Sequence, residues 1–75
     1  MVPRERLINK LRELKYTYAD QTDKSVLWRK KGGTHYVWFR RKEDPMSVTY
    51  VSNILRQCGV AERDIEVFVA QNRCH

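Results

Sequence analysis

The chain has 75 residues, 41% of them hydrophobic and 32% charged, with a formal net charge of +6. At this length folding hides only roughly 60% of the surface that the extended chain exposes, so the composition supports one small core and one domain, most simply helices laid on a single sheet. No apolar run approaches the roughly 20 residues of a bilayer-spanning helix, and no low-complexity or acidic disordered stretch is present, which excludes a helical membrane anchor and a disordered tail.

The first residues, MVPRERL, lack the apolar core of a signal peptide, so a soluble, cytosolic protein is expected. Pro3 occupies a first helical turn, where its missing N–H costs nothing. Leu7, Leu11 and Leu14 follow at i, i+4, i+7, with Ile8 widening the stripe, and predict an amphipathic helix over residues 3–15. From Tyr16 the period changes to two. The stretch YTYADQ places Tyr16 and Tyr18 on one side of a strand, and the polar QTDK supplies a turn before SVLWRK. Gly32 and Gly33 separate that run from THYVWFRR, both glycines supplying positive φ in a tight turn, so two hairpins in series make a three-stranded antiparallel meander.

A turn at Gly32–Gly33 also fixes the register: Trp28 faces Val37, Val26 faces Phe39 and Lys30 faces His35. Val26, Trp28, Val37 and Phe39 then share the side beneath the helices. Leu27, Arg29, Lys31, Tyr36, Trp38 and Arg40 share the other, which is left to solvent or a ligand. A slip of one residue drives Arg29 or Arg40 into the core at a cost of several kcal/mol, so the register is expected to be firm.

Asp44 and Pro45 read as the N-cap and first residue of a second helix. Val51, Ile54, Leu55 and Cys58 recur at helical spacing before Gly59 ends it. The β-branched VTYV within it is overruled by the unbroken apolar period. AERDIEVFVAQ completes the chain as a short third helix, with NRCH a frayed end. The expected architecture is therefore α+β: one domain over residues 1–75, in two layers, running helix, three-stranded antiparallel meander, helix, short C-terminal helix.

The cations are not evenly spread. Residues 24–42 hold Lys24, Arg29, Lys30, Lys31, Arg40, Arg41 and Lys42 and no acid, whereas residues 43–75 are slightly acidic. Clustered cations gain by displacing the counterions condensed on a polyanion, which scattered ones do not, so this polarity favours a nucleic-acid partner. The sequence KKGG is not a nucleotide-binding loop, because its glycines lead into a strand rather than a helix N-terminus. Tyr36 and Trp38, interleaved with Arg29, Lys31 and Arg40, offer stacking planes beside phosphate-pairing groups. The plainer alternative is a solvated face, or one covered by another protein chain. Cys58 reads as core and Cys74 as tail; without CxxC spacing or clustered histidines, neither a metal, a disulfide nor a cofactor is expected. His35, at the core side of the sheet's end, is the one candidate for acid–base chemistry, while a packed or hydrogen-bonded histidine is the commoner outcome for such a position. His75 is terminal.

From LINKLREL through YTYADQT and THYVWFRR to YVSNILRQCGV, nearly the whole chain resembles the small HicA toxins of bacterial toxin–antitoxin modules, and through them the double-stranded-RNA-binding-type fold. The last stretch carries the most specific likeness, an ILxxAG-like helix end with Cys58 in place of the small residue. The resemblance implies RNA binding, metal-independent cleavage of messenger RNA and neutralisation by a HicB-like antitoxin. On the reading of an RNA-binding domain of this kind, Arg29, Lys30, Lys31, Arg40, Arg41 and Lys42 hold phosphates while Tyr36 and Trp38 contact bases or ribose. In the family a glycine–serine/threonine–histidine motif opens the second strand and carries the catalytic histidine; here that place reads Thr22-Asp23-Lys24-Ser25. If Gly33-Thr34-His35 is the motif instead, the third strand is lost or replaced by a short stretch around Met46. If TDKS is the matching place, all three strands survive and the family's base is missing.

Overall fold

The computed structural model describes residues 1–73. In chain order it contains α1 (Arg4–Glu13), β1 (Tyr16–Gln21), β2 (Ser25–Lys30), β3 (Tyr36–Arg40), α2 (Val48–Gln57) and α3 (Glu62–Asn72). The strands form one antiparallel sheet in the order β1-β2-β3, and the three helices pack on one side of it. This is the α+β layout expected from the sequence. None of the helices among the described residues is long and apolar enough to cross a membrane.

The register between β2 and β3 is the expected one, with Trp28 opposite Val37, Val26 opposite Phe39 and Arg29 opposite Tyr36. Val26, Trp28, Val37 and Phe39 are buried against Leu7 and Leu11 of α1, Val51, Ile54 and Leu55 of α2, and Ile65, Phe68 and Val69 of α3. The turn itself is longer than two residues. The Lys30 amide donates to the His35 carbonyl at 2.8 Å, and the Gly33 amide donates back to Lys30 at 3.2 Å. Gly32 takes φ 76° at the third position of that turn, the place where only a residue without a side chain is unstrained. Gly33 does not have positive φ, so one glycine, not two, meets a conformational requirement here.

Along β1 the pairing slips by one residue between Tyr18 and Asp20, leaving Ala19 as a bulge. Without it Asp20 would face Val26 and turn its carboxylate toward the helices. With it Asp20 lies opposite Leu27, on the uncovered side. Tyr16 and Tyr18 both lie toward the helix side, as the alternation predicts, but Tyr16 is buried while Tyr18, at the rim, is 52% exposed.

The start of α2 differs from the sequence reading. Asp44 and Pro45 do not begin the helix; Ser47 is the N-cap, its hydroxyl accepting from the Tyr50 amide at 3.1 Å. Residues 44–46 instead fasten the N-terminus. The Asp44 carboxylate accepts from the Arg4 amide at 2.9 Å, supplying α1 with the acceptor that Pro3 cannot provide. Met46 and Val2 exchange two main-chain hydrogen bonds, at 2.7 and 2.8 Å, with both side chains fully buried. Burying two apolar side chains outweighs the three extra residues of helix that a start at Asp44 would give. The peptide before Pro45 is cis. At the other end Gly59 takes φ 82°; its amide reaches Arg56 at 2.9 Å while Val60 reaches Leu55 at 3.1 Å, the paired bonds of a Schellman stop. α3 extends through Asn72, whose side-chain amide donates to the Phe68 carbonyl at 2.8 Å, so Asn72 is not frayed. The tail residues Cys74 and His75 lie outside the described part.

α1 also ends at a left-handed residue, but one that is not glycine. Lys15 has φ 70°, and its amide donates to Arg12 at 3.0 Å. A left-handed conformation costs an L-residue roughly 1–2 kcal/mol. Glycine removes that cost but brings an unfolded-state entropy penalty of about 0.5–1 kcal/mol. Lys15→Gly is therefore expected to stabilise the domain by about 0.5–1 kcal/mol, read as a higher urea midpoint at unchanged m-value.

Candidate nucleic-acid interface

The uncovered side of the sheet presents Arg29 from β2 and Tyr36, Trp38 and Arg40 from β3, with half-buried Leu27 between the strands. Tyr36 is 55% and Trp38 45% exposed, large values for aromatic side chains on a regular strand. They alternate with buried Val37 and Phe39, so the pleat that sinks the core residues also holds these two rings outward. The acid on this side is Asp20, across β2 from Trp38.

The basic residues singled out from the sequence separate into several environments. Arg29 lies on the open face beside Tyr36. Arg40 shares that face but is engaged: its guanidinium donates to Glu43 at 2.6 Å and lies 4.6 Å from the centre of the Tyr50 ring. The Glu43 hydrogen bond, and after it the Glu43 charge, raise the Arg40 pKa. Arg41 and Lys42 continue from β3 into the connection toward α2, with the Arg41 amide bound to the Lys24 carbonyl at 2.9 Å. Lys30 is on the opposite side, its ammonium 5.9 Å from the centre of the Tyr16 ring. Lys31 leaves the strand and joins Arg12, Lys15 and Trp28 around a cleft at the β1 edge, rather than standing with Arg29 on the open face. The alternation that predicted its side ends where the turn begins.

His35 is also away from the open face. It lies edge-on to Tyr16, with ring centres 6.2 Å apart, and its Nε2 is hydrogen-bonded to the Gln57 carbonyl at the end of α2. A carbonyl can only accept, so Nε2 carries the proton and Nδ1 is the nitrogen left for other chemistry. The sheet separates this imidazole from Arg29, Tyr36 and Trp38. At the position where a second-strand histidine was sought, Thr22 closes the β1–β2 turn: its hydroxyl accepts from the Lys24 and Ser25 amides at 3.3 and 3.0 Å. All three strands are present, so the alternative in which Gly33-Thr34-His35 opens the second strand does not apply.

Beside His35 is a cluster that sequence spacing did not join. The Tyr16 hydroxyl is buried with no hydrogen bond of acceptable geometry, and the Cys58 thiol is its polar neighbour. Burial, then the contact with Cys58, pushes the phenol up to about 12. Burial also raises the Cys58 thiol, while Tyr16 and Lys30 oppose that rise. The corner thus holds a polar group mismatched to its surroundings, and among the described residues no set of three His, Cys, Asp or Glu gathers to hold a metal.

On the edge of the sheet, β3 bonds to β2 through residues 37 and 39, so the main-chain groups of Tyr36, Trp38 and Arg40 point outward. Those of Arg40 are covered: its amide donates to the Tyr50 hydroxyl at 2.9 Å, and its carbonyl accepts from the Arg4 guanidinium at 2.7 Å. Those of Tyr36 and Trp38 have no such cover. Arg4 also lies 5.2 Å from the centre of the Phe39 ring, and burial lowers its pKa against the opposing charge of Asp44 and the influence of Tyr50.

The arrangement is thus a two-layer α+β domain with a cationic, aromatic face on its bare sheet. Compared with known proteins, the chain matches no family model, no curated sequence and no solved structure.

Leaving a hydroxyl buried and unpaired costs about 1–3 kcal/mol, so Tyr16→Phe is expected to stabilise the domain by about 1 kcal/mol in urea denaturation at neutral pH. Tyr16 binds its proton more tightly folded than unfolded. Its contribution is therefore fully present below the unfolded value of 10.0 and is lost as pH rises from there toward about 12. The wild type should lose stability over that window more steeply than Tyr16→Phe, and equal slopes would show that this phenol is not the group responsible.

Proposed function

We propose that this chain is an RNA-binding domain that grips single-stranded RNA, with messenger RNA as its target, on the bare face of its sheet, in the manner that its likeness to HicA toxins implies. One observation carries this reading: Tyr36 and Trp38 are held half-exposed on a rigid strand beside Arg29, within a 19-residue stretch that has cations and no acid. Base–aromatic stacking tolerates any sequence, and RNA is recognised largely through phosphate, ribose and shape, so no base-reading motif is needed. Arg29, Arg41 and Lys42 are the cations free to hold phosphate here, whereas Arg40 must first leave Glu43.

Binding and cleavage are separable in this geometry. His35 faces the Tyr16 corner, so RNA laid across Tyr36 and Trp38 does not meet its imidazole. Metal-independent cleavage at His35 would require the strand to wrap around the hairpin tip. The domain is therefore read first as a binder, with endoribonuclease activity dependent on that wrapping.

A second reading, a protein-interaction module neutralised or recruited by an acidic, HicB-like partner, is favoured by the edge of β3. The free amides and carbonyls of Tyr36 and Trp38 offer an extended acidic segment a strand to pair with, close to Arg29 and Arg41. The same rings serve both readings, so an acidic partner seated there would compete with RNA.

With three phosphate contacts at roughly −0.7 each, log affinity for single-stranded RNA should fall against log salt with a slope of about −2. A flat response removes the reading. Trp38→Ala should weaken binding by about tenfold, from stacking worth about 1–3 kcal/mol per base. Glu43→Gln releases Arg40 and should tighten binding while steepening the salt slope by about 0.7. His35→Gln should retain RNA affinity; if metal-free cutting of messenger RNA is present in the wild type and survives in this variant, His35 is not its base.

A further inference from the structure

The β1 edge carries a second feature that the open face does not use. Between the end of α1 and the outer strand lies a cleft of about 360 Å³, within the roughly 300–1,000 Å³ range of small-molecule sites. Its aromatic wall is the exposed ring of Tyr18, its floor the buried rings of Tyr16 and Trp28, and its rim carries Arg12, Lys15 and Lys31, with no acid among the lining residues. Tyr18 and Trp28 meet at 88° with ring centres 6.2 Å apart. Tyr18 is 52% exposed and Trp28 is buried, so a flat guest finds the face of Tyr18 to stack on and the outer edge of Trp28 to abut. The Arg12 guanidinium lies 5.7 Å from the centre of the Trp28 ring, so positive charge is already held over the aromatic wall.

Lys15 strengthens the case. It sits in the left-handed region at φ 70°, at the helix stop where a glycine would be unstrained, and its side chain lines the cleft. Strain kept at a position where glycine relieves it points to a use for the side chain. Lys31 is fixed across from it, because the Lys31 amide donates to the Lys15 carbonyl at 2.7 Å. One main-chain bond thus places two ammonium groups at the mouth of one aromatic corner.

We infer that this cleft binds one unpaired nucleotide of a single-stranded RNA, its base stacked on the exposed Tyr18 ring with one edge at Trp28, and its phosphates held by Arg12, Lys15 and Lys31. A flat, apolar heterocycle joined to an anion fits an acid-free aromatic corner rimmed by three cations. An aliphatic acid would leave the rings unused, and a duplex would have to extrude a base to enter. The inference rests on the RNA-binding reading above and adds a separate subsite to it, beyond the rings of Tyr36 and Trp38.

The test titrates an unstructured oligoadenylate into the isotopically labelled protein, following overall binding by fluorescence anisotropy and the two indole N–H signals by NMR. The Trp28 signal is expected to shift together with the amides of Lys15, Tyr18 and Lys31, and inorganic phosphate at equal concentration should not reproduce the Trp28 shift. Lys15→Gly is expected to weaken oligonucleotide binding and reduce the salt slope by about 0.7 while keeping or raising the urea midpoint, so that the loss is not a folding defect. Tyr18→Ala, at an exposed ring, should weaken binding by at least about fivefold. If the oligonucleotide binds and shifts Trp38 while leaving Trp28 and the affinity of Lys15→Gly unchanged, the cleft proposal is overturned and the RNA-binding reading stands. If no binding is seen by anisotropy, both fall.

Discussion

The parity of the central hairpin is the constraint from which the other features follow. With Trp28 opposite Val37 and Val26 opposite Phe39, four apolar side chains share one side of the sheet, and Arg29, Tyr36, Trp38 and Arg40 share the other. No intermediate register exists, since a slip by one residue exchanges the two sets completely. Burial of the apolar set against three helices contributes on the order of 1.5–3 kcal/mol per side chain, while sinking an unpaired guanidinium costs several. The energy that fixes the core is therefore the same energy that holds two aromatic rings and a cation outward, and the candidate interface needs no separate stabilisation.

That coupling explains what could be read in the residues and what could not. The sheet register, the side assignment of Tyr36 and Trp38, and the stop at Gly59 follow from short-range rules: period two in a strand, period 3.6 in a helix, positive φ at a glycine. The late start of α2 was hidden because it is decided by a partner 44 residues away. Asp44 and Pro45 make a plausible helix opening locally, but Val2 takes Met46 into a buried bridge and Arg4 takes the Asp44 carboxylate. The bulge at Ala19 was likewise invisible to strict alternation, since it answers to the need to keep Asp20 away from the helices. Lys15 carried a weak local signal: it follows the last apolar residue of α1 at the point where a helix must reverse into a strand.

Cations are arranged here by aromatic rings as much as by acids. Arg4 lies over Phe39, Arg12 over Trp28, Lys30 over Tyr16 and Arg40 over Tyr50. Each pairing holds a long side chain near the protein surface without neutralising it, which keeps the domain's positive field available for an anion. Glutamates engage two cations more directly, Glu43 with Arg40 and Glu62 with Arg56, the latter pair joining α2 to α3 with a second contact at 3.1 Å. Both arginines are exposed, so these pairs are screened and add little to stability. Their consequence is selective: Arg40 starts in a local partnership, and Arg29 does not.

The two aromatic sites differ in the geometry they offer a polyanion. Tyr36 and Trp38 stand two residues apart on one strand, a spacing set by the pleat, and form an open ledge that imposes no limit on how many nucleotides pass over it. Tyr18 and Trp28 meet at 88° and form a corner rather than a ledge. On the RNA-binding proposal, a ledge would give adhesion insensitive to register along the strand, whereas an occupied corner would fix one base relative to the protein. Any chemistry performed on a single linkage needs such a fixed point. Lys30 lies on the helix side with both Tyr16 and His35, opposite Tyr16 in the strand register and bonded at the main chain to His35, with its ammonium over the Tyr16 ring.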